Sequence, residues 1–301
     1  MSNAAARISP VASESARAAA AAPIRRVAVI GSPQKPAAVA ALDEVRRWVQ
    51  ARADLVYADI TFDSRAALAQ KPELLIVLGG DGTLISAAHR LERDQIPILG
   101  VNLGKLGFLA DFTLPQLESF GDFLFTGPLP ISRRLMLNVR IENGDAPTET
   151  LAVNDCVVVA GPPFRMIQMT ALVDGDEVAR VRGDGLIVAT PTGSTAHNLS
   201  AGGPIVEPTA TSMIVTPICP HALTFRPLVL SAEHELVLTP RRTNPGTHVV
   251  IDGRTAVSLH NNDRVTIRRY PTDFLLVRNP RDTAWTALRR KLMWGAGPVA
   301  D

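Results

Sequence analysis

Aromatic residues are scarce in this chain: Phe, Trp and Tyr make up 5% of 301 residues. So thin a supply argues against a platform on which nucleic-acid bases stack. An excess of one charge is also missing. Lys plus Arg number 31 against 29 Asp plus Glu, a formal net charge of +2, so neither nucleic acid nor an anionic membrane is expected as a partner. There are two cysteines, Cys156 and Cys219, and no CxxC. That excludes a disulfide framework and predicts two buried thiols in a reducing compartment. None of the six histidines pairs at i,i+4 or sits in a Cys/His cluster, which argues against structural zinc. No apolar run reaches the roughly 20 residues that cross a bilayer. What is present is 46% hydrophobic and 20% charged sequence, the balance of a globular protein with a real core and about two domains.

The Ala- and Ser-rich stretch 1–23 lacks a leucine-rich apolar segment and is expected to be a disordered tail. From there "RRVAVIG", "DLVYADI", "PELLIVLGG" and "IPILGVN" read as strands. "AAVAALDEVRRWVQARA" and "TLISAAHRLER" read as helices between them, the first on a stripe of Val39, Leu42, Val45 and Val49. Alternation of this kind predicts a parallel, doubly wound α/β sheet over residues 24–130. Near residue 131 the pattern changes to short β-type runs, with Asp174-Gly175 as a tight hairpin signal. Residues 131–278 are therefore expected to form a β-rich, sandwich-like domain. "TAWTALRRKLMW" returns to helical spacing, within a final segment 279–301.

The chemistry concentrates in three islands. In "GGDGT", Gly79 to Thr83, glycines end an apolar strand and a helix follows. Free N–H groups and the helix dipole favour an anion there, so Gly79, Gly80, Gly82 and Thr83 are candidate phosphate-binding residues. Asp81 would repel a phosphate unless a divalent cation or a substrate hydroxyl mediates, and both mediators belong to phosphoryl transfer. A plain turn with an aspartate cap is the alternative. The second island, "RGDGLIVATPTGSTAHNLSAGGPIV" from Arg182 to Val206, offers backbone N–H groups and hydroxyls suited to a nucleotide. The third is "NLGKLGFL", where Lys105 could touch a phosphate or be a solvated loop lysine.

Taken with "VND" at Val153 to Asp155 and "TPICPHALTFRPLVL" at Thr216 to Leu230, these islands resemble the signatures of the NAD kinase family. The resemblance runs from Arg26 to Trp294; GGDGT alone would also suit diacylglycerol or sphingoid-base kinases. It implies a Rossmann-like N-terminal domain, a β-rich C-terminal domain and a C-terminal helix packing back on the first. It also implies ATP-dependent phosphorylation of the 2′-hydroxyl of the adenosine ribose of NAD, with NAD and ATP as ligands and a divalent cation such as magnesium. A cytoplasmic homodimer or homotetramer is implied as well.

Residue by residue, the resemblance makes Asp81 the catalytic proton acceptor and leaves open a metal contact through a phosphate-bound magnesium. It assigns NAD contacts to Asp81, Gly82, Asn154, Asp155, Arg165, Arg182, Asp184 and Arg254. Thr195, Ala196, His197, Asn198, Leu199 and Ser200 would line the adenosine. Asp184 is implied for a neighbouring subunit's nicotinamide end, and Arg182 resembles members that prefer NAD and ATP. His197 stands where most relatives have Tyr. A lipid kinase on the same glycine turn and a non-catalytic NAD sensor are the competing readings.

Overall fold

The computed structural model describes residues 23–104, 107–144 and 146–293. Most of the expected tail, Lys105 and Trp294 lie outside them. Elements alternate through the first third: β1 (Arg26–Gly31), α1 (Pro36–Gln50), β2 (Asp54–Asp59), α2 (Ser64–Ala69), β3 (Leu74–Leu78), α3 (Asp81–Leu91), β4 (Ile98–Asn102), β5 (Phe112–Thr113) and α4 (Leu114–Phe120). Strands β3 and β4 are buried at every residue, as parallel strands covered on both faces must be. The order β2-β1-β3-β4 is parallel throughout. One face is covered by α1 with Ala38, Ala41, Val45, Trp48 and Val49; the other is covered by α3 with Leu84, Ile85, Ala88 and Leu91. Of the expected stripe on α1, Val45 and Val49 are buried and Leu42 packs against the same core; Val39 alone turns outward. Val39 is half exposed, and alanines take the sheet side, where Ala38 packs tightly under Gly31.

The β-rich part comprises β6 (Ile131–Arg134), β7 (Leu137–Glu142), β8 (Thr148–Ala152), β9 (Asp155–Val159), β10 (Ile167–Val173), β11 (Asp176–Gly183) and β12 (Gly185–Ala189). A short helix α5 (His197–Ser200) follows, then β13 (Ser212–Ile218), β14 (Leu228–Ser231), β15 (Leu236–Arg242), β16 (His248–Ile251), β17 (Thr255–Ser258), β18 (Arg264–Arg269) and β19 (Phe274–Val277). Two antiparallel six-stranded sheets, β11-β10-β15-β18-β7-β8 and β14-β13-β12-β9-β16-β17, enclose one core. Alternate residues such as Val139, Met169, Leu238 and Ile267 meet Cys156, Val158, Val188 and Val249 across it, the arrangement of a sandwich. Asp174 and Gly175 both have positive φ, 50° and 93°, as the two central residues of a type I′ hairpin do.

Three features depart from the sequence-based expectation. Strands β6 and β19, from the stretch read as β-rich, complete the first sheet: β19 runs parallel to β4 and β6 antiparallel to β19. Their backbones pair with what would otherwise be an open stretch of edge at the start of β4. Cys156 is buried, but Cys219 is exposed, at the end of β13 where φ turns positive. Helix α3 begins at Asp81 rather than Thr83, so Asp81 belongs to its first turn.

The last helix, α6 (Ala284–Leu292), starts from a Thr283–Thr286 capping box and returns to the first domain. There Lys291 Nζ stands 4.3 Å from the centroid of the Phe108 ring. Among the described residues no helix is long and apolar enough to cross a membrane.

Candidate functional site

The site is built where five loops converge. The first is the β3–α3 turn. A Cβ on Gly79 would lie 2.4 Å from Thr83 Oγ1, so only glycine lets the chain fold over the start of α3. The Thr83 N–H donates to Gly80 O at 2.8 Å, while those of Asp81 and Gly82, which a helix start leaves without intrahelical partners, make an anion-binding nest. Lys35, at the start of α1, donates to Thr83 Oγ1 at 2.8 Å and brings an ammonium to that nest. The sequence reading missed Lys35; the signal for it was a lysine in the loop that follows the first strand.

The second is the loop 107–110, which receives the Asp81 side chain. Asp81 Oδ2 accepts the Phe108 N–H at 2.7 Å, and Oδ1 accepts those of Leu109 and Ala110 at 3.0 and 3.1 Å. A Cβ on Gly107 would stand 1.7 Å from Asp81 Oδ1, so this approach requires glycine. A carboxylate has about four acceptor sites; three are filled by fixed donors and one remains on Oδ2. Phe108, Leu109 and Thr195 also line a cleft of about 130 Å³ whose far wall includes Trp285 of α6. Phe108 and Leu109 lie in the third island, whose sequence pattern assigns them no role. Behind this loop Arg278 pairs with Asp111 at 2.5 Å, and burial pushes the Asp111 carboxyl up to about 6.

The third and fourth are the turn after β8 and the segment after β12. Asn154 and Asp155 open β9, while Thr190 closes the adjacent β12. The Thr190 hydroxyl donates to Val153 O at 2.6 Å, its N–H to Asn154 O at 2.8 Å, and its Oγ1 accepts from Gly193 N at 2.9 Å. A Cβ on Gly193 would come within 2.0 Å of Asn154 O. The two islands are therefore one structure. Asp155 is 4% exposed. Burial, and then the neighbouring Asp252, raise its carboxyl to about 7. No donor to this carboxyl is found among the described residues, which suits it to receive one from a ligand.

The fifth is the turn after β16. Arg254 donates to Gly82 O and Ser86 Oγ on α3, and Asp252 accepts from the backbone of Val153, Asn154 and Asp155.

The candidate residues fall into two groups. Asp81, Gly82, Asn154, Asp155, Thr195 and Arg254 gather around this convergence, with Ala196, His197, Leu199 and Ser200 just beyond it. Asn198 is fully buried. Its amide donates to Ser194 O and Pro204 O and accepts from Thr216 Oγ1 at 2.6 Å, so it braces the segment from inside. Arg182 and Asp184 lie at the other end of β12, five residues of strand away, or roughly 16 Å. Arg165 follows β9 at that same end. Among the described residues no group of three or more His, Cys, Asp or Glu side chains could hold a metal ion.

Comparison with known proteins identifies the family and the fold. The ATP-NAD kinase N-terminal domain matches residues 22–127 and the ATP-NAD kinase C-terminal domain residues 153–279. An NAD kinase from Rhodopirellula baltica is 38% identical over 270 residues, 89% of this chain and 86% of that protein. One from Acidobacterium capsulatum is 39% identical over 283 residues, 90% and 99% of the two chains. Among solved structures, yeast NADH kinase complexed with NADH superposes with a TM-score of 0.82 at 22% identity, covering 93% of this chain and 91% of that one, a likeness of fold. An NAD kinase from Archaeoglobus fulgidus in complex with ATP gives 0.72 at 27% identity, covering 89% and 98%. With both domains matched and its glycine turn, Asn-acidic turn and long polar segment joined in one site, the chain belongs to the ATP-NAD kinase family.

Proposed function

We propose that the protein is an NAD kinase that transfers the γ-phosphoryl group of ATP to the 2′-hydroxyl of the adenosine ribose of NAD, giving NADP and ADP. The observation that carries the reading is Asp81. Its carboxylate is fixed by three backbone donors, keeps an acceptor site free, and joins the first turn of α3 to the backbone of Phe108 and Leu109, whose residues line the cleft. As the ribose oxygen bonds to the γ-phosphorus, its proton passes to Asp81 and the bond to the bridging oxygen of ADP breaks. Gly79, Gly80, Gly82, Thr83 and Lys35 meet the donor phosphates. Asn154 and the donor-less Asp155 receive ribose and adenine donors. Thr195 to Ser200 flank the adenosine, with Asn198 acting from behind.

A magnesium ion would fit here as a passenger on the phosphates of ATP, because the nest contributes one carboxylate rather than a protein cage. Bound, it neutralises phosphate charge. Residues 24–130 would supply the donor side, 131–278 the NAD side, and the segment 279–301 a helix closing against Phe108, although β6 and β19 belong to the first sheet. Arg165, Arg182 and Asp184, remote from Asp81, would serve a neighbouring subunit's ligand in a homodimer or homotetramer. Exposed Leu223, Leu228 and Val229 offer apolar surface for such association. Two free thiols fit a cytoplasmic setting.

The lipid-kinase and sensor readings are not favoured, since the relatives matching across both domains are NAD kinases. Purified protein incubated with ATP, magnesium and NAD is expected to form NADP, followed with an NADP-specific dehydrogenase. No NADP from folded protein would overturn the proposal. Parallel rates with NADH and with polyphosphate define acceptor and donor.

A further inference from the structure

His89 belongs to no island that the sequence singled out. It lies on the third turn of α3, eight residues after Asp81. Its Nε2 stands 2.6 Å from Asp252 Oδ2. A carboxylate only accepts, so Nε2 carries the hydrogen. The Asp252 side chain is 0% exposed. Its Oδ2 also accepts the N–H of Val153 at 2.8 Å, and Oδ1 those of Asn154 and Asp155 at 2.7 and 3.0 Å. A carboxylate this deep survives only with its acceptor sites filled; among the described residues His89 supplies the one side-chain donor.

The same turn holds α3 a second time. Arg254 donates to Gly82 O and Ser86 Oγ in the first turns. Gly82 and His89 are seven residues apart, roughly 10 Å along the helix axis. One attachment would leave the turn free to pivot on α3; two attachments at that separation fix its orientation. The chain of contacts then runs from α3, whose first residue is Asp81, through Asp252 to the backbone of Asn154 and Asp155.

We propose that His89 is a positioning residue for the acceptor half of the site: through Asp252 it sets Asn154 and Asp155 against Asp81. The inference rests on the assignment of those two residues to NAD. The donor side, at Gly79 to Thr83 and Lys35, is touched by this turn through Arg254 at Gly82 O, not through His89, and has its own support from the Gly79–Thr83 packing and the Lys35–Thr83 hydrogen bond. Loss of His89 therefore acts on NAD and leaves ATP alone.

The test is steady-state kinetics of wild type, His89→Ala and His89→Arg, each checked for cooperative thermal unfolding. Removing a hydrogen bond to a buried charge is expected to raise KM for NAD about tenfold, with KM for ATP within about twofold of wild type. His89→Arg should recover most of the loss. A guanidinium supplies donors to Asp252, and the opening beside His89, lined by Glu92, Arg93 and Tyr270 among others, has room for the longer side chain. Unchanged KM for NAD in His89→Ala overturns the inference, and so does an equal rise in both KM values, which marks a general structural role. Wild-type protein that makes no NADP overturns the kinase assignment and the inference with it, whereas an active wild type with an indifferent His89→Ala overturns the inference alone.

Discussion

Asp155 offers a test that needs no substrate. Its carboxyl is 4% exposed, and burial followed by Asp252 lifts its pKa from 3.8 to about 7. Between those values the native state keeps a proton that the unfolded chain has released. Stability therefore falls as pH rises from about 4 to about 7 and levels off above. Each pH unit well inside the window is worth about 1.4 kcal/mol and the slope fades near pH 7, so the loss between pH 5 and pH 8 is about 2.7 kcal/mol. Asp155→Asn carries no titrating proton. Relative to wild type it should gain about 2.7 kcal/mol on going from pH 5 to pH 8, or on the order of 5 °C in Tm for a domain of this size. Thermal unfolding of both proteins at the two pH values, with urea unfolding to give free energies, measures the difference. Parallel pH profiles for the two proteins would show that Asp155 is not the uncompensated buried acid described above, and its assignment as a waiting acceptor would go with it.

Further outcomes are expected at other positions. Asp81→Asn should fold as wild type yet lose about 10²- to 10⁴-fold in kcat, the usual worth of a proton acceptor; near-normal turnover removes it from the chemistry. Gly107→Ala forces the 107–110 loop away from Asp81 and should cut NADP formation at least about tenfold with a smaller effect on Tm, read in the coupled assay. Lys35→Met should raise KM for ATP about tenfold and leave KM for NAD unchanged, as loss of a charge-assisted contact predicts. Of the two thiols, exposed Cys219 should react promptly with a chromogenic disulfide in native protein. Cys156, buried and with its thiol pKa pushed up, should react only on unfolding.

Much of the molecule was legible in the sequence because its signals are local. The run Leu74 to Gly80 had to be a covered strand ending in a turn, since five consecutive apolar residues followed by glycines suit little else. Asp174-Gly175 had to be a tight hairpin, because few residues accept positive φ twice in succession. The polar islands marked a candidate nucleotide site by composition, and their order carried the family resemblance. Other features depended on partners distant in the chain. That β6 and β19 leave the β-rich part for the first sheet follows from an open edge at β4, which no local pattern in Phe274–Val277 records. That Ala38 rather than Val39 faces the sheet depends on the close approach to Gly31. Asn198 was read as a ligand contact because it stands among ligand-type residues; only the position of Thr216, eighteen residues on, turns it inward. Asp81 was recognisable as the candidate reactive carboxylate. Its three fixing donors come from a loop more than twenty-five residues away, and its alignment with Asn154 passes through His89 and Asp252, which are 163 positions apart. Sequence determines which groups are available, through residue type and short-range spacing. Distances of 2.6 to 3.1 Å between remote segments exist only once the strands that carry those segments have paired and their cores have packed.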